Sequence, residues 1–190
     1  MSYILYGGLF DPVHMGHTGL ARAALQKIKA EKVIWLPSSA PPHRTVEGIP
    51  ANQRKEMMEW LFKDKDEYEV SDVDLSRDHS GYTAETVSIY KEKFSGKDLY
   101  LLIGSDEAES FKQWKNWEYI LENTRLLIGR REDDRMSFPR EVEENSVLLD
   151  NKVIDISSTQ IREKLKKGES VEGYLPDRLE EYIARRGLYK

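Results

Sequence analysis

Short apolar runs and helical stretches follow one another almost without a break from Tyr3 to Gly187, and this alternation is what most restricts the fold. "YILY" (Tyr3 to Tyr6), "KVIWLP", "DLYLLIG" and "TRLLIGRR" are continuous and rich in bulky β-formers, the pattern of strands buried on both faces. Between them, "HTGLARAALQKIKA" places Leu20, Ala23, Ala24 and Ile28 on one helical face, and "NQRKEMMEWLF" spaces Met57, Trp60 and Leu61 in the same way. "YTAETVSIYKEKF", "SFKQWKNWEYILEN", "STQIREKLKKG" and "DRLEEYIARRG" predict further helices. "YEVSDVDL" alternates like a strand, "SVLLD" and "KVIDI" predict two short ones, and the charged "REDDRMSFPREVEENS" is expected to be the least ordered segment. Strands that alternate with helices close into a parallel sheet with helices on both faces, so the predicted class is α/β, a Rossmann-like doubly wound sheet.

Length and composition bound the rest. A chain of 190 residues, 39% hydrophobic, supports one substantial core, which predicts one domain over 1–190 with the helical segment 157–190 packed on it. With 29 basic against 34 acidic side chains, the formal charge of −5 offers no electrostatic reason to expect a nucleic-acid polymer as partner. The absence of cysteine excludes disulfides, thiolate metal sites and a cysteine nucleophile. The start "YILYGG" lacks a basic, cleavable leader, and no stretch reaches the roughly 20 apolar residues of a membrane span. A cytoplasmic protein without a membrane partner is expected, and a homo-oligomer is left open.

The first strand ends in "GGLFDPVHMGH", Gly7 to His17. In an open parallel sheet, ligands bind where loops leave the carboxyl ends of strands for helices, whose N-termini favour anions. Glycines there let backbone approach a ligand, Pro12 stiffens the turn, and Gly16 leaves room beside His14 and His17, which helical spacing sets on one side. Two imidazoles in that place can donate to phosphate oxygens and absorb charge on a departing pyrophosphate. They can equally cap the helix or pack locally, or bind a metal, for which Asp11 is the only adjacent third ligand. Neither the dinucleotide fingerprint nor the P-loop pattern is present.

Near the other end, "ISSTQIR" (Ile156 to Arg162) pairs Ser157 with Gln160 in a capping-box pattern, with Lys166-Lys167-Gly168 as the stop. A hydroxyl-rich helix start with an arginine one turn further in is also a phosphate cradle.

Taken whole, "GGLFDPVHMGH" resembles the G-x-F-D-P-x-H-x-G-H motif of the nucleotidyltransferase superfamily, and "ISSTQIR" is similar to its C-terminal I-S-x-T-x-I-R element. The segments "LPSSAPPHR", "NQRKEMM", "YTAETV", "IGSDEAESFKQWKNWEYIL" and "YLPDRLEEYIARRGLY" resemble, in order and spacing, the bacterial nicotinate mononucleotide adenylyltransferases. The resemblance implies that the phosphate of nicotinate mononucleotide attacks the α-phosphate of ATP, giving nicotinate adenine dinucleotide and pyrophosphate, with Mg²⁺ carried on the triphosphate and no dedicated metal site. It implies catalytic roles for His14, His17 and Arg162. ATP would be held by these together with Gly8, Leu9, Phe10, Gly104, Asp106, Ile156, Ser157 and Ser158, and the mononucleotide by His43, Arg44, Tyr82, Thr83, Trp114 and Arg131.

The residues by themselves allow blander readings. Trp114 and Trp117, with Ile120 and Leu121 beyond, would make a core stripe; Asp106 could be an N-cap; His43-Arg44 could lie in a solvated loop; Tyr82-Thr83 could simply start a helix. Leu9 stands where the resembling family usually has threonine, "GRRED" replaces its arginine-proline-glycine turn, and Gly81 stands where serine is frequent. The rival activities are adenylyl transfer to nicotinamide mononucleotide or to phosphopantetheine, and a silent nucleotide-binding protein of the same fold.

Overall fold

The computed structural model describes residues 1–39, 48–130 and 137–190. Six strands, β1 (Ser2–Gly8), β2 (Lys32–Pro37), β3 (Tyr68–Val70), β4 (Asp98–Gly104), β5 (Arg125–Gly129) and β6 (Ser146–Leu148), form one sheet in the order β3-β2-β1-β4-β5-β6. Every neighbouring pair is parallel, with Leu5 beside both Ile34 and Leu101, and Leu101 beside Leu126. The helices are α1 (Met15–Ile28), α2 (Ala51–Phe62), α3 (Thr83–Lys93), α4 (Ser105–Glu109), α5 (Trp117–Asn123), α6 (Arg140–Glu144), α7 (Ser158–Lys167) and α8 (Asp177–Arg186).

Because side chains alternate across a strand, each apolar run feeds two cores. Ile4, Tyr6, Val33, Trp35, Leu102 and Leu127 face a core completed by Ala21 and Ala24 of α1, Met57 and Met58 of α2, Ile161 of α7, and Leu179 and Ile183 of α8. Leu5, Ile34, Leu36, Leu101, Ile103, Leu126 and Ile128 face the other, completed by Val87 of α3, Ala108 of α4, Ile120 of α5 and Val142 of α6. The expected sheet with helices on both faces is therefore present.

Several elements differ from the sequence expectation. The predicted helix over "SFKQWKNWEYILEN" is broken: α4 starts earlier, a 3-10 turn covers Phe111–Gln113, Trp114 is extended, and Asn116 sits at φ +56 before α5 begins. The Ser110 hydroxyl donates to the carbonyls of Asp106 and Glu107, which draws it onto the last turn of α4, and asparagine tolerates the left-handed conformation that reverses the chain. Trp114 and Trp117 are consequently not one helical stripe, although both pack against the second core.

"YEVSDVDL" is a strand only to Val70, because the Ser71 hydroxyl accepts from the Val73 amide and turns the chain into a 3-10 segment over Val73–Leu75. "KVIDI" is not a strand. The last backbone bond of that edge is Leu149 N–H to Ile128, and beyond it the side chain of Asn151 takes both the amide and the carbonyl of Arg130, at 2.8 and 3.1 Å, leaving 152–156 irregular. Of the segment predicted least ordered, residues 137–146 include α6, whose Val142 is fully buried, while residues 131–136 lie outside the described part.

Candidate active site

The strand order reverses between β1 and β4, the point at which a parallel sheet opens a crevice at its carboxyl edge. Chain leaving β1 passes through Phe10, a buried non-glycine residue at φ +50, to His14, the extended N-cap of α1. His17 stands three positions on, and its Nδ1 accepts the His14 amide at 3.2 Å. The local-cap reading of the histidines is thus realised. It also has a chemical consequence: a neutral His17 ring must carry its proton on Nε2. The two rings lie 3.7 Å apart and 30° from parallel, and a Cβ at Gly16 would come within 3.0 Å of the His14 ring, so a side chain there would press that ring by a few tenths of an ångström.

A second helix opens onto the same crevice. Ser157 caps α7 by accepting the Gln160 amide at 3.2 Å while Gln160 Oε1 accepts the Ser157 amide at 2.8 Å, the capping box expected from "ISSTQIR". The next side chains bind the first motif rather than solvent: Ser158 Oγ donates to the Pro12 carbonyl at 2.9 Å and Arg162 Nη1 to the Asp11 carbonyl at 2.7 Å. Arg54 of α2, 2% exposed, donates to the Leu9 and Ser38 carbonyls and to that of Ile49. Burial lowers its pKa from the ordinary arginine value, while Asp11 and Tyr189 nearby raise it. Carbonyls of residues 9, 11 and 12 are therefore all held from behind the loop by side chains of α2 and α7. The sequence offered no signal for Arg54 beyond its place in "NQRKEMM".

The crevice holds about 410 Å³ and is walled by Gly8, Phe10, His14, His17, Gly104, Ile156, Ser157 and Ser158 of the expected ATP set. Leu9, Asp106 and Arg162 are not in its walls. Gly129, Arg130, Asn151, Lys152, Asp155 and Glu107 are, none of them anticipated as site residues. A basic residue directly after a strand, as Arg130 follows β5, is the signal that could have found one of them. Arg130 and Lys152 are offset by Glu107 and Asp155, and one Glu107 oxygen accepts the Gly104 amide at 2.9 Å. With the fixed side-chain charges in balance, attraction for an anion falls to the two histidines and to the two helix N-termini.

Of the expected mononucleotide residues, Tyr82, Thr83 and Trp114 are not in the walls of this crevice. His43, Arg44 and Arg131 fall outside the described residues. Tyr82, the N-cap of α3, borders a separate groove of about 370 Å³ with Ser80, Lys115 and Tyr119, and Lys115 Nζ stands 4.2 Å from its ring centre. Thr83 is the first residue of α3. The turn before it, with Gly81 at φ +79, is pinned twice: Glu85 accepts the Ser80 amide at 2.8 Å, and Nδ1 of His79 accepts the Gly81 amide at 3.0 Å. Nε2 of His79 lies 3.2 Å from Thr86 Oγ1 and 3.5 Å from Asp74. Hydrogen bonds from Ser80 hold Glu85 below the ordinary carboxylate range, and burial pushes Asp74 above it.

Trp114 is half-buried against Phe111, ring centres 5.1 Å apart, so it shares in the core as well as standing beside the Tyr82 groove residue Lys115. Were it also the pyridine platform, Trp114→Ala should raise KM for the mononucleotide by roughly 5- to 150-fold, the equivalent of about 1–3 kcal/mol of stacking, and leave KM for ATP nearly unchanged. Steady-state kinetics with each substrate varied in turn checks this. A joint rise of both constants, or loss of folded protein, would assign the ring to the core alone.

A parallel sheet with its crevice at the reversal of strand order, and two helix N-termini and a histidine pair facing it, define a nucleotide-binding α/β protein of the nucleotidyltransferase class. The cytidylyltransferase-like family model matches residues 5–164. A probable nicotinate-nucleotide adenylyltransferase of Clostridium tetani (strain Massachusetts / E88) is 34% identical over 195 residues, covering 98% of both chains, and one of Dictyoglomus thermophilum is 34% identical over all of both. The chain belongs to the nicotinate-nucleotide adenylyltransferases of the cytidylyltransferase-like family. Among solved structures, the nicotinic acid mononucleotide adenylyltransferase of Plasmodium falciparum complexed with NaAD superposes with a TM-score of 0.74 at 18% identity, covering 99% of this chain and 97% of that one.

Proposed function

We propose that the chain transfers the adenylyl group of ATP to nicotinate mononucleotide as one domain over 1–190. An oxygen of the mononucleotide phosphate bonds to the α-phosphorus, the bond from that phosphorus to the bridging oxygen breaks, and pyrophosphate leaves. The observation that carries this reading is the convergence of the α1 and α7 N-termini with His14 and His17 on one crevice at the carboxyl edge of β1 and β4. The attacking group is already an anion, so the protein's task is alignment and neutralisation of charge. His17, with its proton directed to Nε2, and His14 donate to the phosphates; Ser157 and Ser158 with the α7 amides receive them on the other side. Arg162 is assigned to the loop it binds and to the triphosphate as a nearby cation.

Among the described residues no three His, Asp or Glu side chains converge as a metal cage, and the Glu107 and Asp155 carboxylates stand singly in the crevice wall. Mg²⁺ carried by the triphosphate would fit beside these carboxylates and would supply positive charge to the pyrophosphate. Among the described residues no helix is long and apolar enough to cross a membrane.

The test is pyrophosphate release with ATP and nicotinate mononucleotide. Release with phosphopantetheine alone, or none with any acceptor, would replace this reading by one of its rivals. In the same assay, nicotinate should be preferred over nicotinamide mononucleotide by about tenfold or more, equal to roughly 1.4 kcal/mol. The support is the pinned turn at Ser80-Gly81 leading into α3, whose first amides have no partner within the helix and can donate to a carboxylate. An amide substituent would present a donor to those donors, a mismatch of about 1–3 kcal/mol once the bound ring covers this turn, which is exposed in the free protein. Equal consumption of the two mononucleotides in competition would show that this turn does not read the carboxylate.

A further inference from the structure

Tyr189, next to the chain terminus, donates its hydroxyl to Oδ1 of Asp11 at 2.7 Å, across 178 positions of sequence. Neither residue is in the wall of the crevice, and both are buried, Asp11 to 1% exposure. Tyr189 sits at φ +62, a conformation that a side chain disfavours and that its surroundings must hold. The other contacts of Asp11 are weaker or come from one direction. Its Oδ1 also accepts the Ile49 amide at 3.4 Å, and Oδ2 has no hydrogen-bond partner among the described residues, with Arg162 Nη1 3.8 Å away. Gly48 backs onto the carboxylate so closely that a Cβ there would lie 1.7 Å from Oδ2. The carboxylate cannot retreat on that side.

We propose that Tyr189 is a positioning residue for the adenylyl transfer: its hydroxyl fixes Asp11, and through Asp11 the loop that sets His14 and His17 against the triphosphate. The inference rests on the activity proposed above. Arg162 Nη1 binds the Asp11 carbonyl at 2.7 Å while standing 3.8 Å from its carboxylate, so the two acceptors compete for one donor. With the tyrosine hydroxyl in place the carboxylate is satisfied at Oδ1 and the arginine stays on the carbonyl. Without it, the buried charge is left with one long amide contact, Arg162 turns to the carboxylate, and the backbone three residues before His14 loses its tether. Burial, and then the Asp11 charge, hold the phenol far above its ordinary range, so it remains a donor at any working pH.

Tyr189→Phe keeps the ring and removes only the hydroxyl. The expected result is a fall in kcat of about tenfold, with KM for both substrates changed by less than about twofold, because the loop aligns reacting groups more than it binds them. A readout that needs no turnover accompanies it. The chain has four histidines, and in imidazole ¹H–¹⁵N spectra of the free protein the His14 and His17 signals should move while that of His79, held by the turn before α3, stays. Unchanged kcat, unmoved His14 and His17 signals, or a variant that does not fold would each overturn the proposal, the last in favour of a purely structural tyrosine. Failure of the activity reading is separable: the wild-type protein would then release no pyrophosphate, and the spectra alone would decide the role of Tyr189.

Discussion

His17→Ala is expected to lower kcat by about 100- to 1000-fold, the usual effect of deleting one donor aimed at developing charge, with KM for nicotinate mononucleotide within about threefold of wild type. The geometry behind it is the 3.7 Å spacing of the His14 and His17 rings at the N-terminus of α1. Nδ1 of His17 is occupied by the His14 amide, so His17 offers a phosphate oxygen its Nε2 proton, beside the donor of the His14 ring, and such hydrogen bonds strengthen as the acceptor gains charge. Their combined donation is therefore strongest when negative charge has built on the departing pyrophosphate. The alanine variant also removes the acceptor for the His14 amide, an N-terminal bond whose loss costs about 1 kcal/mol. His17→Gln separates the two roles, because glutamine at that position can accept the same amide but puts no ring N–H where Nε2 of His17 stands. Thermal melting should return to near wild type in the glutamine variant while turnover stays low. Recovery of turnover as well would reduce His17 to a cap.

The second large effect is expected on stability. Arg54→Ala should destabilise the fold by about 3–5 kcal/mol, since it removes a buried cation and strands the carbonyls of Leu9, Ser38 and Ile49. For a chain of this size that corresponds to a fall in Tm of roughly 6–20 °C. Arg54→Lys should recover only part of it, because one ammonium cannot serve three acceptors in the directions a guanidinium does. Thermal and urea unfolding of both variants would measure this, and a melting point within about 2 °C of wild type for the alanine variant would show that the loop is held by other means. Activity should fall further than stability in either variant at temperatures where the protein remains folded, since the carbonyl of Leu9 precedes the histidine pair in the same loop.

The parallel arrangement, the two helical layers and the placement of both crevice-facing motifs were legible in the amino-acid order. The reason is local: continuous apolar runs of strand length cannot be half-exposed, alternation with helices dictates crossovers, and glycine, capping serine and paired histidines act within a few residues of themselves. "GGLFDPVHMGH" and "ISSTQIR" both took the local structures their residues predict, the first with His17 as cap, the second as a capping box. Where short-range hydrogen bonds competed with periodicity, the periodicity misled. Ser110 ended one helix and Ser71 one strand with a hydroxyl each, and the Asn151 side chain closed the edge on which "KVIDI" had been expected to pair.

Tertiary structure alone decided which polar side chains face the ligand and which hold the loop that does. Arg162 and Ser158 read from sequence as phosphate ligands, and the fold gives them a second task, binding the carbonyls of Asp11 and Pro12. Arg54 and Tyr189 carried no sequence signal beyond their places in "NQRKEMM" and "YLPDRLEEYIARRGLY", yet they converge on the same loop from α2 and from beyond α8. No local rule reaches 151 or 178 positions along a chain. A buried carbonyl or carboxylate must find a donor somewhere, and packing determines which distant residue supplies it.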